Sequence, residues 1–168
     1  LNAGLSRSEL LRDEPGTRIG SPLTRFPHEV VAAAGVTDVL LHAGTNDIAA
    51  GRGAQEIVEG IIRFAERARA AGLRVFLTTI TPAATGRHGT RQAVVVREAV
   101  NHWLRTEGPA HADAVFDFAA AVADPVWPTR LAGRYDAGDG LHLSPEGYRA
   151  LAAAVDLDRL TGSPCLRS

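Results

Sequence analysis

The chain contains no lysine and no methionine, and each absence narrows what the protein can be. All 18 basic residues are arginine. This excludes a phosphate-binding loop of the Walker type and Schiff-base catalysis, because both need a lysine. Since methionine is absent, residue 1 is not an initiator, and we expect a further segment upstream of Leu1. A signal peptide could lie in that segment, so the compartment, secreted or cytoplasmic, stays open.

Cysteine, net charge and long apolar runs are also scarce. The single cysteine, Cys165, cannot form a disulfide within the chain. A net charge of -1 gives no indication of nucleic acid or an anionic membrane as a partner. No apolar run approaches the roughly 18 residues that are needed to span a bilayer. With 45% hydrophobic and 22% charged residues, the sequence is typical of one globular domain over residues 1–168.

Residues 36–47, VTDVLLHAGTND, predict a buried strand that ends in a turn. The aliphatic run at 39–41 shows no polar alternation, which is typical of a parallel strand covered by helices on both faces. Gly, Asn and Asp tolerate turn backbones, so the strand ends at residues 44–47. It therefore delivers Asn46 to its carboxyl end, the edge where ligands bind in open α/β sheets. Asp47 is expected to cap this turn.

Strand and helix patterns alternate along the rest of the chain. Strands are predicted at 39–43, 73–80 and 114–118, and a strand end at 1–5. The predicted helices, several of them with apolar residues at three- and four-residue spacing, cover 26–34, 54–71, 91–106 and 145–157. This alternation predicts a three-layer α/β/α fold with a doubly wound parallel sheet.

A second informative stretch covers residues 136–148, DAGDGLHLSPEGY. Asp139 and His142 lie three residues apart in a glycine-rich loop, just before a helix that Ser144 caps. A carboxylate at this spacing can hydrogen-bond the imidazole, fix its tautomer and stabilise the imidazolium. Taken alone, the pair is more typical of a loop Asp and His that only cap or contact water. Its expected position at the same sheet edge as Asn46 favours a catalytic pair.

The two stretches together resemble the SGNH (GDSL) hydrolase superfamily. The resemblance rests on GTND at 44–47 and DGLH at 139–142, and residues 2–6, NAGLS, are similar to a further motif of that family. The order and spacing agree over nearly the whole chain. The resemblance implies a flavodoxin-like sheet and a carboxylic ester hydrolase. Such enzymes cleave acyl or acetyl esters of lipids, sugars and small alcohols.

The resemblance also implies a role for individual residues. Asn46 would donate its side-chain amide to the oxyanion, His142 would act as general base, and Asp139 would orient His142. The family usually has glycine where this chain has Arg7, and the backbone N–H at that position helps to bind the oxyanion. Because arginine disfavours left-handed backbone angles, we expect an altered oxyanion hole at Arg7.

The family nucleophile, the serine of a Gly-Asp-Ser motif at the end of the first strand, does not occur in this sequence. The only Gly-Asp, at 138–139, is followed by glycine. We therefore expect the serine and the first strand to lie upstream of Leu1, and the chain alone to be inactive and poorly stable. Ser6, Ser8 and Ser21 are weaker candidates, because they are typical of turns and caps. A non-catalytic binding domain or an inactive remnant is the alternative.

Nothing in the sequence predicts a cofactor or a metal. The remaining histidines form neither an H-x-x-x-H pair nor a Cys/His cluster, so no metal site is expected. No G-x-G-x-x-G follows a strand, so nucleotide binding is not expected either. The expected partner is a small-molecule, carbohydrate or lipid ester, and the oligomeric state stays open.

Overall fold

Three parallel strands form the sheet in the computed structural model, which describes residues 1–14, 16 and 20–162. The strands are β1 (Asp38–Leu41), β2 (Arg74–Thr78) and β3 (Ala114–Phe116), in the order β1-β2-β3. Leu40 lies opposite Phe76, and Phe76 lies opposite Ala114. The predicted parallel α/β sheet is confirmed. Cys165 lies outside the described residues.

Helices follow the strands, and the two long ones agree closely with their predicted bounds. The helices are α1 (Pro22–Phe26), α2 (Thr45–Ala49), α3 (Ala54–Ala70), α4 (Arg91–Thr106), α5 (Gly108–His111), α6 (Phe118–Val122) and α7 (Pro145–Ala153). A π-helical turn covers Pro27–Val31, and 3₁₀ turns cover Gly86–His88 and Leu157–Arg159. Within the described residues, none of the helices is long and apolar enough to cross a membrane.

Each face of the sheet has its own apolar core. Val75 and Leu77 point to one face, where they pack with the apolar sides of α3 and α4. Phe76 and Phe116 point to the other face, where their rings stack at 5.8 Å and pack with residues of α6 and α7. Both faces of β2 are covered by these cores, which explains why residues 75–77 are all apolar.

Several local predictions were wrong. In place of the helix predicted at 26–34, α1 ends at Phe26 and a π-helical turn covers Pro27–Val31. The strand at 39–41 is not fully buried, since Leu40 is 39% exposed.

Two further predictions concerned the ends of strands. Residues 1–5 form no strand, because no described strand lies beside them to complete a hydrogen-bonded ladder. Residues 44–47 do not form an isolated turn. Gly44 takes a left-handed backbone with φ of 108°, and its carbonyl accepts from Ile48 N at 3.0 Å, so α2 begins directly after it.

The carboxylate of Asp47 holds a distant segment rather than capping its own turn. Asp47 is fully buried. It accepts hydrogen bonds from Leu10 N at 2.8 Å and from Leu11 N at 3.0 Å. Burial raises the pKa of Asp47, while these two N–H groups act in the opposite direction. The contact ties residues 8–11 to the carboxyl end of β1.

Arg7 has a left-handed backbone with φ of 63°, and among the described residues it is the only non-glycine with positive φ. Its exposed guanidinium forms an ion pair with Glu14 at 3.3 Å. A surface pair of this kind contributes about 0–1 kcal/mol. The left-handed backbone costs a residue with a Cβ about 1–2 kcal/mol, so this ion pair alone offsets at most part of that cost.

Replacing Asp47 with alanine should lower the free energy of unfolding by about 2–4 kcal/mol, because two N–H groups near the core lose their acceptor. Chemical denaturation of the variant and the parent chain measures this loss. Asp156→Ala is the matched control, since Asp156 caps an exposed 3₁₀ turn through Asp158 N at 3.1 Å. Equal losses for both variants would contradict a special role for Asp47.

The backbone strain at Arg7 is measured by comparing two variants. Arg7→Gly and Arg7→Ala both remove the contact with Glu14, but only glycine adopts the left-handed backbone without a steric penalty. We expect the glycine variant to be more stable than the alanine variant by about 1 kcal/mol in thermal or chemical unfolding. An alanine variant as stable as the glycine variant would show that Arg7 is not held in this conformation.

Candidate active site

The predicted hydrogen bond between Asp139 and His142 is present, with His142 Nδ1 2.6 Å from Asp139 Oδ2. The other oxygen of the carboxylate accepts from Leu141 N at 2.9 Å and from His142 N at 2.8 Å. The hydrogen bond from the His142 side chain and then these N–H groups lower the pKa of Asp139 to about 2. The carboxylate is therefore ionised at neutral pH and orients the ring.

This arrangement determines which nitrogen of His142 is available for chemistry. An ionised carboxylate accepts hydrogen bonds, so Nδ1 carries the proton that lies towards Asp139. In the neutral ring, Nε2 then has a free lone pair. The His142 side chain is 68% exposed, so Nε2 is open to a reacting group.

Hydrogen bonds from backbone N–H groups to the Asp136 side chain hold the loop that carries this pair. Asp136 Oδ1 accepts from Gly138 N at 2.7 Å, Asp139 N at 3.1 Å and Gly140 N at 3.0 Å. Gly138 and Gly140 both have positive φ, at 106° and 73°, which allows the chain to curl around this acceptor. The loop ends at Ser144, whose hydroxyl caps α7 by accepting from Gly147 N at 3.1 Å.

Asn46 follows the carboxyl end of β1, as the sequence predicted, and lies in the first turn of α2, which the sequence did not predict. Its Nδ2 donates to the carbonyl of Ser8 at 3.0 Å. The side-chain amide carries a second N–H, which is the type of donor that an oxyanion requires. Arg7 precedes Ser8, so the contact brings the backbone of Arg7 close to Asn46.

The two pairs are connected by the loop between β2 and α4. The helix that carries Asn46 packs against the 3₁₀ turn Gly86–His88. The loop that carries His142 is bound to the same segment, because Ala84 N donates to Gly140 O at 2.8 Å. The structure therefore brings Asn46 together with Ser8, the residue after Arg7, and brings Asp139 together with His142. Residues 84–89 contact both the helix that carries Asn46 and the loop that carries His142.

Three further polar residues, His42, His88 and Arg97, lie on the segments that follow β1 and β2. His42 contacts Thr78, with Nδ1 2.7 Å from Oγ1, and its ring lies 5.4 Å from that of Phe118. His88 lies in the segment 84–89, which binds the carbonyl of Gly140. Burial lowers the pKa of His88, and electrostatic interactions with His142 and Arg97 lower it further. The sequence pattern indicated neither His88 nor Arg97 as a functional residue. In α4, the local pattern does not distinguish a buried arginine from an exposed one.

A surface concavity lies away from this centre, and no metal site is found near it among the described residues. A concavity of about 380 Å³ lies between residues 1–5 and the turn around His28, and Asn46, Asp139 and His142 do not line it. In the part of the chain that the structure describes, no group of three or more His, Cys, Asp or Glu residues is arranged to hold a metal ion.

Solved structures of bacterial esterases share this fold. A GDSL-like lipase from Bacteroides thetaiotaomicron is 25% identical, with a TM-score of 0.69 over 82% of this chain and 68% of that chain. An aryl esterase from M. smegmatis is 19% identical, with a TM-score of 0.65 over 92% and 74% of the two chains. A carbohydrate acetylesterase from Sinorhizobium meliloti is 18% identical, with a TM-score of 0.62 over 94% and 76%. The last two likenesses, at this identity, concern the fold alone.

No curated protein matches the sequence. The family model of the GDSL-like lipases and acylhydrolases matches residues 2–150, which include Asn46, Asp139 and His142. Because this match covers most of the chain, and because the similar structures have the same parallel α/β architecture, the chain belongs to the GDSL-like lipase/acylhydrolase family.

Proposed function

We propose that the protein is a serine carboxylic ester hydrolase in which His142 is the general base, Asp139 orients His142, and Asn46 binds the oxyanion. Membership of the GDSL-like family supports ester hydrolysis in general. The observation that supports these roles is the 2.6 Å hydrogen bond between His142 Nδ1 and Asp139 Oδ2, which leaves Nε2 exposed and, in the neutral ring, with a free lone pair. A catalytic base needs this tautomer.

The proposed reaction transfers the acyl group first to the serine and then to water. His142 Nε2 takes the proton of a serine hydroxyl as the serine oxygen attacks the ester carbonyl. The Asn46 amide donates to the oxygen that becomes negatively charged in the tetrahedral intermediate. His142 then gives its proton to the leaving alcohol, and an acyl-enzyme forms. Water, activated by His142, releases the acid in a second round.

The backbone N–H of Arg7 is the second oxyanion donor in this proposal. Its left-handed conformation, at φ of 63°, is one that glycine adopts without cost and arginine does not. A costly backbone angle persists only where surrounding contacts hold it, and such angles are frequent at functional sites. The adjacent Ser8 carbonyl, bound to Asn46, is one of these contacts.

The nucleophile in this proposal is a serine that precedes Leu1. The hydroxyls of three serines within the chain are already engaged: Ser8 donates to Gly20 O, Ser21 caps α1, and Ser144 donates to Arg134 O. No Gly-Asp-Ser motif occurs in the sequence. We propose that residues 1–168 form one domain with that upstream segment. Its substrate is a small-molecule, carbohydrate or lipid ester.

The roles of His142 and Asn46 predict separate kinetic effects in the protein extended upstream through its serine. His142→Ala should lower kcat by about 10²–10⁴-fold, the usual contribution of a general base. Asn46→Ala should lower kcat by about 10²–10³-fold, the usual size for one oxyanion donor. Steady-state hydrolysis of a short-chain nitrophenyl ester measures both. His102→Ala, which removes an exposed imidazole on α4, is the control and should keep the parent rate. Unchanged kcat in His142→Ala would place the site elsewhere.

The position of the nucleophile predicts that the 168-residue chain turns over no ester, whereas the extended protein does. A fluorophosphonate probe followed by peptide mapping should label one serine, upstream of Leu1 in the extended protein. The extended protein with that serine changed to alanine is the matched control. Equal turnover by both lengths would show that the nucleophile lies within residues 1–168, and absence of labelling in the extended protein would favour a non-catalytic binding domain.

A further inference from the structure

Arg97, in the second turn of α4, is a charged side chain in the protein interior. It is only 2% exposed and is the largest of the fully buried side chains. Its nearest carboxylate is that of Glu98, 3.9 Å from Nε and half exposed. Nε itself has no hydrogen-bond partner among the described residues. A buried charge with so weak a counter-ion is expensive, so its position needs an explanation other than stability.

The two ends of the guanidinium contact two different loops. Nη1 donates to the carbonyl of His88 at 3.2 Å, in the loop between β2 and α4. Nη2 donates to the carbonyl of Thr129 at 3.3 Å, in the long loop between α6 and α7. The planar fork of arginine can reach both carbonyls at once, which a compact ammonium group cannot do. Arg97 therefore cross-links two loops from different parts of the chain.

The first of these loops supports the catalytic pair. Residues 84–89 form a tight turn, in which Gly89 N donates to Thr85 O at 3.0 Å and Gly89 leaves no room for a Cβ against Ala84. Gly140 lies against Thr85, and its carbonyl accepts from Ala84 N. The loop that carries Asp139 and His142 therefore packs on residues 84–89, and Arg97 holds those residues through the His88 carbonyl.

The same segment also contacts the other half of the site. The helix that begins at Thr45 and carries Asn46 packs against the 3₁₀ turn Gly86–His88. A displacement of residues 84–89 would change the separation between His142 and Asn46. Proton transfer and oxyanion binding must occur on the same substrate carbonyl, so this separation limits the rate.

We propose that Arg97 is a positioning residue that sets the separation between His142 and Asn46 by holding residues 84–89 against the loop at Thr129. The proposal rests on the function proposed above for His142 and Asn46. It explains why an arginine occupies an interior position that an apolar side chain would fill at a lower desolvation cost.

The test compares Arg97→Met, Arg97→Lys and Arg105→Met in the protein extended upstream through its serine. Arg105 lies on the same helix and binds Asp117 through two nitrogens at 2.8 and 3.1 Å, but it contacts neither loop of the site. Arg97→Met should lower kcat by up to about 10²-fold, the effect of a misplaced catalytic group. KM should stay within about threefold, since substrate contacts are unchanged. Arg97→Lys, which keeps the charge and loses the fork, should recover only part of the rate.

Thermal unfolding separates positioning from stability. Arg105→Met should lower Tm with kcat unchanged, whereas Arg97→Met should lower kcat more than its Tm explains. If kcat in Arg97→Met stays within about twofold of the parent, or if Arg105→Met lowers kcat as much as Arg97→Met does at a similar loss of Tm, the proposal is overturned.

An NMR measurement without substrate tests the role of Arg97 separately from the proposed function. The ring signals of His142 in NMR spectra should shift or broaden in Arg97→Met and stay in place in Arg105→Met. If the parent protein hydrolyses no ester, the proposed function fails, yet these spectra still decide whether Arg97 positions His142. Unchanged His142 signals in Arg97→Met would overturn the inference even in an active enzyme.

Discussion

The buried carboxylate of Asp47 makes the contacts on which the position of Asn46 depends. It binds Leu10 N and Leu11 N and so fixes residues 8–11 against the end of β1. That segment carries the Ser8 carbonyl, which orients the Asn46 amide. Burial disfavours the charge, as the raised pKa shows, and two N–H groups offset part of this cost. Local structure around Asn46 is thus held by a contact between distant parts of the chain.

The opposite side of the site is built in a different way, from short-range contacts. Asp136 binds three successive N–H groups of the loop, and Asp139 binds the backbone and ring of His142. Two left-handed glycines make this curl possible. Such a loop has its own internal order, but its orientation relative to Asn46 comes from residues 84–89, which lie between the two sides.

The sequence correctly predicted the elements whose signals lie in neighbouring residues. It was wrong where the formation of a strand depends on a distant strand. The helices at 54–71 and 91–106 agree with α3 and α4, because apolar spacing and caps such as Thr90 act within a few residues. The strand predicted at residues 1–5 does not form, because extended chain becomes a strand only beside another strand. The helix at 45–49 was missed, since Gly44 before it and Asn46 in its first turn are typical of turns as well.

What the sequence by itself determined is the parallel α/β architecture, the family resemblance and the pairing of Asp139 with His142, whose atoms lie three residues apart. What only the tertiary structure decided is how Asp47, Asn46 and Arg97 are used. Their partners lie 37, 38 and 32 residues away along the chain. Hydrophobic periodicity and capping residues report contacts within one or two turns. A buried arginine or aspartate has the same local pattern as an exposed one, and packing between elements decides which it becomes.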